Sequence, residues 1–294
     1  MKKYYSQMMI FYYVAHFKSF TKAAQHLHCS KAFVSQQMSE LEKNTGLLLF
    51  HRNTRVIKLT LAGESIFEHA AMIAMEFQSF ENTIEGLQNK VQGILRITSP
   101  AGYAEYILSP NLPHFLAQFP QISLEMNFTG ELLNLVDKKI DIAIRLTHEP
   151  PLDRIAKKMG DYQMIICASP AYLAKHGEPA TPKELEKHGC LIYSTEKNYN
   201  KWPFVIKKQP VQIDVSAKMT ANSSKVLLEA ALNGAGIARL PSYVVHAAIK
   251  AKQLKSVLNA YYPSAIPIYA VYAKSPMTSP KVHAFLDFLK RISE

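Results

Sequence analysis

The chain has 294 residues, of which 48% are hydrophobic and 19% charged. That is enough apolar material for two or three domain cores, and the absence of a long low-complexity tract excludes a disordered chain. The net charge of +11 suggests a polyanionic partner, and the basic excess is local: residues 1–60 hold nine Lys/Arg against only Glu40 and Glu42, whereas 61–90 hold one Lys against five Glu.

Residues 5–17 place Ile10, Phe11, Val14 and Phe17 on one helical stripe. A short second helix follows with Ala23, Ala24 and Leu27 inward, then a turn at His28 and Cys29. Ser30 is a good N-cap for a third helix running to about Lys43, with Val34, Met38 and Leu41 inward and Gly46 as its terminator. With that core face inward, Ala32, Ser35, Gln36 and Ser39 face outward, flanked by Lys31. A small polar face of this kind enters a major groove, and the helix N-terminus favours phosphate. Residues 47–50 and 56–59 read as two short strands around the basic turn His51-Arg52-Asn53-Thr54-Arg55. Its arginines suit the DNA backbone or minor groove.

From about Leu61 to Gln92, with Thr60 as its cap, the spacing predicts one long helix. Ile66, Ala70, Ile73, Phe77, Phe80, Ile84, Leu87 and Val91 follow alternating steps of four and three, a heptad seam. No sequence-near element is long enough to cover it, so the seam is expected to pair with a second copy; packing against the chain's own domains is the alternative.

After Gly93 the pattern becomes β-α-β-α-β: strand 94–98, a helix through Leu112, Phe115, Leu116 and Phe119, strand 122–128, helix 131–138 and strand 140–145. A second unit reads as strand 162–168, helices 170–176 and 182–188, strand 190–193, strands near Val205 and over 211–219, helix 223–233, strand 237–240 and helix 242–251. Strand 266–274 and helix 280–292 close the chain. Ligands in such folds sit outside the carboxyl ends of strands. That nominates Ser99, Tyr103, Thr129, Arg145, Tyr193 and Asn222 for a small-molecule effector, with Arg145 suited to an acid group or, alternatively, to Glu149 or Asp153. Gly234-Ala235-Gly236 reads as a helix cap, not a phosphate loop.

Three widely spaced cysteines, Cys29, Cys167 and Cys190, without C-x-x-C argue against a disulfide framework and structural zinc. Cys167 and Cys190 read as small buried residues, with a redox pair as the alternative. The sequence contains no nucleophile elbow with a Ser-His-Asp order, no metal-spaced His/Cys cluster and no Walker loop, so no enzyme and no cofactor or metal is expected. The Met8 to Ala15 run lacks a signal cleavage site, and no stretch reaches a membrane span. The expected location is cytoplasmic, on the nucleoid, without membrane contact. A transport solute-binding protein, a class that shares the two-lobed domain, is the rival reading of the protein, opposed by the lack of a signal-peptide pattern and by the N-terminal helix-turn-helix.

Ser19-Phe20-Thr21-Lys22-Ala23-Ala24, Leu27, Ser30, Val34-Ser35, Leu41-Glu42, Gly46, Leu49-Phe50, Arg52 and Leu59-Thr60-x-Ala62-Gly63 together resemble the N-terminal signature of LysR-type transcriptional regulators. The resemblance continues through Gly93-x-Leu95-Arg96-Ile97, Phe119-Pro120, Asp141-Ile142-Ala143-Ile144-Arg145, Ala168-Ser169-Pro170-x-Tyr172-Leu173 and Gly234-x-Gly236-Ile237-Ala238-x-Leu240-Pro241. The wing and the Ile144-Arg145 pair look most like the branch that includes CrgA and AphB. The resemblance implies an all-α winged helix-turn-helix (1–60), a linker and dimerisation helix (61–92) and a two-lobed α/β effector domain (93–294) with mostly parallel sheets, like periplasmic binding proteins. It further implies a homotetramer on promoter DNA, contact with RNA polymerase, and control by a small effector. The implied DNA-contacting set is Thr21, Ser30, Lys31, Ala32, Ser35, Gln36, Arg52, Thr54 and Arg55. The chain departs from the pattern in carrying Lys31-Ala32 where Gln-Pro is common, Gln36 where Arg is common, and a bulky Phe33.

Overall fold

Helix α1 (Lys2–Phe17) buries Phe11, Tyr12 and Val14 against α2 (Phe20–His26) and α3 (Lys31–Thr45), and Val34, Met38 and Leu41 of α3 complete the core. This computed structural model describes residues 2–51, 57–88, 90–128, 140–152, 154–193, 200–274 and 278–293. Local chemistry sets the helix limits. The Ser19 and Ser30 hydroxyls accept from Lys22 N and Phe33 N, His28 turns the chain at φ 52°, and Gly46 ends α3 in the left-handed conformation that carries no Cβ penalty there. Two short strands, β1 (Phe50–His51) and β2 (Lys58–Leu59), pair antiparallel; the basic turn between them lies outside the described residues.

Helix α4 (Leu61–Gln88) starts where Thr60 Oγ1 accepts Gly63 N at 3.0 Å. The heptad seam divides along its length. Ile66, Phe67, Ala70 and Ala74 pack onto the core of α1, with Phe67 stacked on Tyr12. Phe77, Phe80, Ile84 and Leu87 remain exposed, Phe80 at 57% and Leu87 at 72%. Packing within the chain therefore accounts for the first half of the seam, and the second half is left uncovered in the single chain.

The chain forms two compact units, one built around Met1–Lys90 and the other around Val91–Leu132, Asp141–Ala273 and Lys281–Glu294. The second unit has two lobes. In lobe one, β3 (Gly93–Ser99) lies between β4 (Ile122–Phe128) and β5 (Ile142–Leu146), all parallel. Between β3 and β4 run α5 (Ala101–Tyr103), a π-type turn (Ala104–Leu108) and α6 (Leu112–Gln118). The segment linking β4 to β5, expected to be helical, lies outside the described residues.

The chain crosses to lobe two through β6 (Ile155–Tyr162) and β7 (Met164–Ala168). It continues through α7 (Pro170–His176), a 3-10 turn (Pro182–Lys187), β8 (Cys190–Tyr193), the hairpin β9 (Lys201–Ile206) and β10 (Gln209–Asp214), β11 (Ala217–Ala221), α8 (Ser224–Leu232), β12 (Ile237–Pro241), α9 (Ser242–Lys250) and β13 (Lys255–Ser256). It then returns as β14 (Ile266–Tyr272), and α10 (Pro280–Ser293) closes lobe one.

The sheets run β4-β3-β5-β14-β6 and β11-β8-β12-β7-β13. The expected parallel crossovers form half of each sheet. The other half is antiparallel, because a strand arriving from the other lobe enters without the helical crossover that parallel pairing needs. The sheets are therefore mixed.

Two further features follow from this arrangement. Strand β12 lies between β7 and β8, so Cys167 and Cys190 are two strand spacings apart, roughly 10 Å, beyond the ~7 Å reach of a disulfide. Their side chains enter different cores, and burial pushes both thiols up to about 12. Of the two readings of these cysteines, the structure supports small buried residues.

Buried His188 places Nδ1 3.3 Å from the Tyr172 hydroxyl, which in turn accepts Gly189 N–H at 3.2 Å. Burial first, then the neighbouring His176, lowers its pKa, with Glu184 opposing. A histidine depressed in the folded state is protonated first in the unfolded chain, so its contribution to stability is constant above about pH 6.5 and falls below it. Calorimetric melts should shift downward from pH 7 to about pH 5.5, and His188→Gln should flatten that slope. An unchanged slope would exclude His188 as its source.

Candidate nucleic-acid interface and ligand cleft

The first unit offers α3. Ser30 caps it, and Lys31, Ala32, Phe33, Ser35, Gln36 and Ser39 are exposed on the face opposite Val34, Met38 and Leu41. Thr21 is exposed in the first turn of α2. Phe33, at 45% exposure, adds an apolar surface beside Lys31 and Ala32. The Ser30 hydroxyl is already engaged as the cap, which leaves its backbone region, more than its side chain, for a phosphate. Arg52, Thr54 and Arg55 lie outside the described residues.

The domain's two acids both hold structure. Glu42 accepts Leu49 N (2.8 Å) and Phe50 N (3.3 Å), anchoring the approach to β1. Glu40 accepts the side-chain amides of Gln7 (3.3 Å), Gln36 (3.0 Å) and Gln37 (3.4 Å).

In the second unit the nominated effector residues divide. Tyr193 and Asn222 are exposed at the carboxyl ends of the parallel neighbours β8 and β11, where Ala221 pairs with Tyr193. Ser99 is buried at the end of β3, its hydroxyl donating to Pro100 O at 3.1 Å. Tyr103 is 1% exposed, in the core of lobe one, with its hydroxyl bonded to Ser293; the structure builds it into the scaffold and not into an open surface. Thr129 lies outside the described residues.

Arg145 is 7% exposed. Its Nη1 donates to Ile144 O at 3.0 Å, it forms no ion pair among the described residues, and burial lowers its pKa. The alternative pairing with Glu149 does not occur, and Asp153 lies outside the described residues.

Sequence reading missed the residues that join the lobes. Tyr243, at the start of α9, packs against both lobe cores, with Tyr103 at 5.7 Å and Tyr162 at 5.4 Å between ring centroids. Gln163, between β6 and β7, accepts Ser242 N–H at its carbonyl oxygen, donates its backbone N–H to the Ser242 hydroxyl and donates Nε2 to Pro263 O at 3.1 Å, tying the two crossovers together. Gly102 faces Ser224 of α8, where an added Cβ would sit 3.3 Å from the hydroxyl. Only the aromatic at Tyr243 just after Pro241 hinted at this junction. A separate cavity of about 400 Å³ between α6 and α10, lined by Phe119, Asp287, Lys290 and Arg291, lies away from the strand ends. Among the described residues no cluster of three or more His, Cys, Asp or Glu could hold a metal, and no helix is long and apolar enough to cross a membrane.

Residues 5–64 match the family described as bacterial regulatory helix-turn-helix protein, lysR family, and residues 88–293 match the LysR substrate binding domain. An HTH-type transcriptional regulator of Xanthomonas campestris is 33% identical over 285 residues, covering 96% of this chain and 83% of that protein. The regulator CrgA of Neisseria meningitidis is 30% identical over 98% of this chain and 97% of its own. The solved CrgA structure superposes with a TM-score of 0.65 at 28% identity, covering 98% and 99% of the two chains. The full-length Vibrio cholerae virulence activator AphB, at 23% identity, shares the fold with a TM-score of 0.63 over 97% of each chain. A capped helix with a small polar outer face, followed by a two-lobed α/β unit, thus coincides with matches to both halves of one family: the chain belongs to the LysR family of bacterial regulatory helix-turn-helix proteins.

Proposed function

We propose that the chain is a sequence-specific transcription regulator whose residues 1–60 read promoter DNA, whose residues 61–92 pair subunits, and whose residues 93–294 hold a small-molecule effector between the two lobes. The observation that carries this is α3, which presents Lys31, Ala32, Ser35 and Gln36 outward from a rigid core in the most basic part of the chain. Gln36 can bond an adenine edge with its paired donor and acceptor, and Phe33 offers apolar contact to a thymine methyl. Thr21, Ser30 and the wing residues Arg52, Thr54 and Arg55 contact backbone or minor groove. The exposed half of the α4 seam supports a dimer, and two dimers form the working tetramer. The protein acts in the cytoplasm on the nucleoid, by contact with RNA polymerase, without catalysis or a cofactor. Effector binding shifts the population of lobe arrangements and thereby the placement of paired DNA-reading domains.

Binding to a duplex from upstream of the protein's own gene, titrated over several salt concentrations, tests the reading. The expected result is preference over random DNA with a steep salt slope. A folded oligomer without that preference sinks it. Gln36→Ala should lose discrimination at one or two base pairs; a uniform loss across sequences makes Gln36 a phosphate contact instead.

Arg145 supports an effector with an anionic group, because a buried guanidinium with one carbonyl acceptor gains most from a carboxylate. A thermal-shift screen of small organic acids should find one that stabilises the protein. Arg145→Gln should weaken that acid's binding by more than about thirtyfold while leaving the ligand-free melting temperature unchanged or higher. A large drop in the ligand-free melting temperature would make Arg145 structural.

A further inference from the structure

We infer that Glu40 is a positioning residue for base readout: its carboxylate, fastened from the buried side of α3, holds the Gln36 amide in the orientation that reads DNA. The inference rests on the reading of α3 as the DNA-contacting helix.

Gln36 is exposed, and an exposed glutamine samples many rotamers. Ordering it at an interface costs affinity and blurs its preference for one base. Here Glu40 stands one helical turn further on, and its Oε1 accepts Gln36 Nε2 at 3.0 Å. The carboxylate is itself fixed. Its Oε2 accepts Gln37 Nε2 at 3.4 Å and, from the neighbouring helix α1, Gln7 Nε2 at 3.3 Å. Gln7 is 2% exposed and its Oε1 has no hydrogen-bond partner, so the bond to Glu40 is what satisfies the NH₂ donor of that buried side chain. The chain of contacts runs from a buried helix–helix seam to the exposed reading face.

The bond leaves Gln36 able to read a base. An amide NH₂ carries two donors, so with one committed to Glu40 the other, together with Oε1, still matches the acceptor and donor pair of adenine. The negative charge of Glu40 opposes DNA phosphates, in a domain with only one other acid, and that acid holds backbone amides. A carboxylate there weakens general DNA attraction and sharpens selection.

The test uses the full-length protein and a pool of random-sequence duplexes, from which bound DNA is selected and sequenced. Glu40→Ala is made together with Gln7→Leu, so that no buried amide is left unsatisfied and the α1–α3 packing is retained. The expected result is a five- to tenfold loss of preference at the same base pairs that Gln36→Ala affects, with affinity for random DNA unchanged or raised. Adding Gln36→Ala to the double variant should give the loss of Gln36→Ala alone and no more, since Glu40 acts through Gln36. Preference retained at those base pairs overturns the inference. So does an equal loss on every sequence, or additive losses, either of which makes Glu40 a structural tie between α1 and α3. A wild-type protein that recovers no preferred motif overturns the regulator reading and this inference with it; a motif recovered by wild type and kept by the variant overturns the inference alone.

Discussion

Aspartate in place of Phe80 or Ile84 should dissociate the protein along α4 and weaken binding to its preferred DNA by more than about a hundredfold. Both side chains are exposed in the single chain and belong to no core of their own subunit, so the substitution leaves the fold of one copy intact. Each fully buried side chain of this size contributes about 1.5–3 kcal/mol, and four of them, Phe77, Phe80, Ile84 and Leu87, line the uncovered half of the seam. Burying a carboxylate in that seam adds a desolvation cost of several kcal/mol, which exceeds what any one apolar contact supplies. The loss on DNA is larger than the loss of contacts alone. Two linked DNA-reading domains bind with an effective concentration that a monomer lacks, a factor of roughly 10²–10⁴. Sedimentation velocity and DNA titration check both effects, and circular dichroism checks the fold. A variant that sediments as wild type would show that α4 does not carry the interface. The corresponding change at Ala70, in the half already covered by α1, should instead unfold the first unit.

Gly63→Ala should destabilise the first unit by about 3 kcal/mol or more and abolish DNA binding, although alanine is the better helix former by about 1 kcal/mol. The contact decides the sign. A Cβ at Gly63 would lie 2.2 Å from the carbonyl oxygen of Leu49 and 3.1 Å from Leu59 Cδ2. That carbonyl cannot easily move away, because it accepts Thr60 N at 3.1 Å while Leu49 N is held by Glu42 at 2.8 Å. The start of α4 and the approach to β1 are therefore locked backbone to backbone. Calorimetry should show the transition of the first unit moving down while the two-lobed unit melts as before; a stabilised variant would mean that the helix start gives way. Gly236, whose Cβ would meet Gly189 O at 2.3 Å where β12 and β8 approach, should behave the same way in lobe two. The sequence expectation of a helix cap applies to Gly234, which has φ +73°; Gly236 serves close approach.

The features legible in the chain were those with a local cause. Ser30, Gly46 and Thr60 sit where caps and stops were expected, because capping needs only residues three or four positions away. Strand β6 was missed except for its last residue. It carries the exposed Lys157, Lys158 and Asp161 on a sheet edge, and no apolar alternation marks it. The β9–β10 hairpin was blurred for a different reason: its turn places Lys207 and Lys208 at positive φ, where glycine or asparagine would have announced it. Among site residues, the outward face of α3 followed from helical period alone. The burial of Tyr103 and Arg145, the junction through Tyr243 and the fastening of Glu40 by Gln7 involve partners far apart in sequence.

By itself the sequence determined the order of the helices and strands with a clear local period, the capped helix with its polar outer face, the heptad seam and the family, since each depends on period, capping or a run of matching residues. The tertiary structure alone decided which half of the seam stays uncovered, how antiparallel strands complete each sheet, why Cys167 and Cys190 cannot join, and that Gln7 of α1 meets Glu40 of α3. The physical reason is the same in each case: burial and hydrogen bonding are set by which distant segments meet, and no local pattern encodes that meeting.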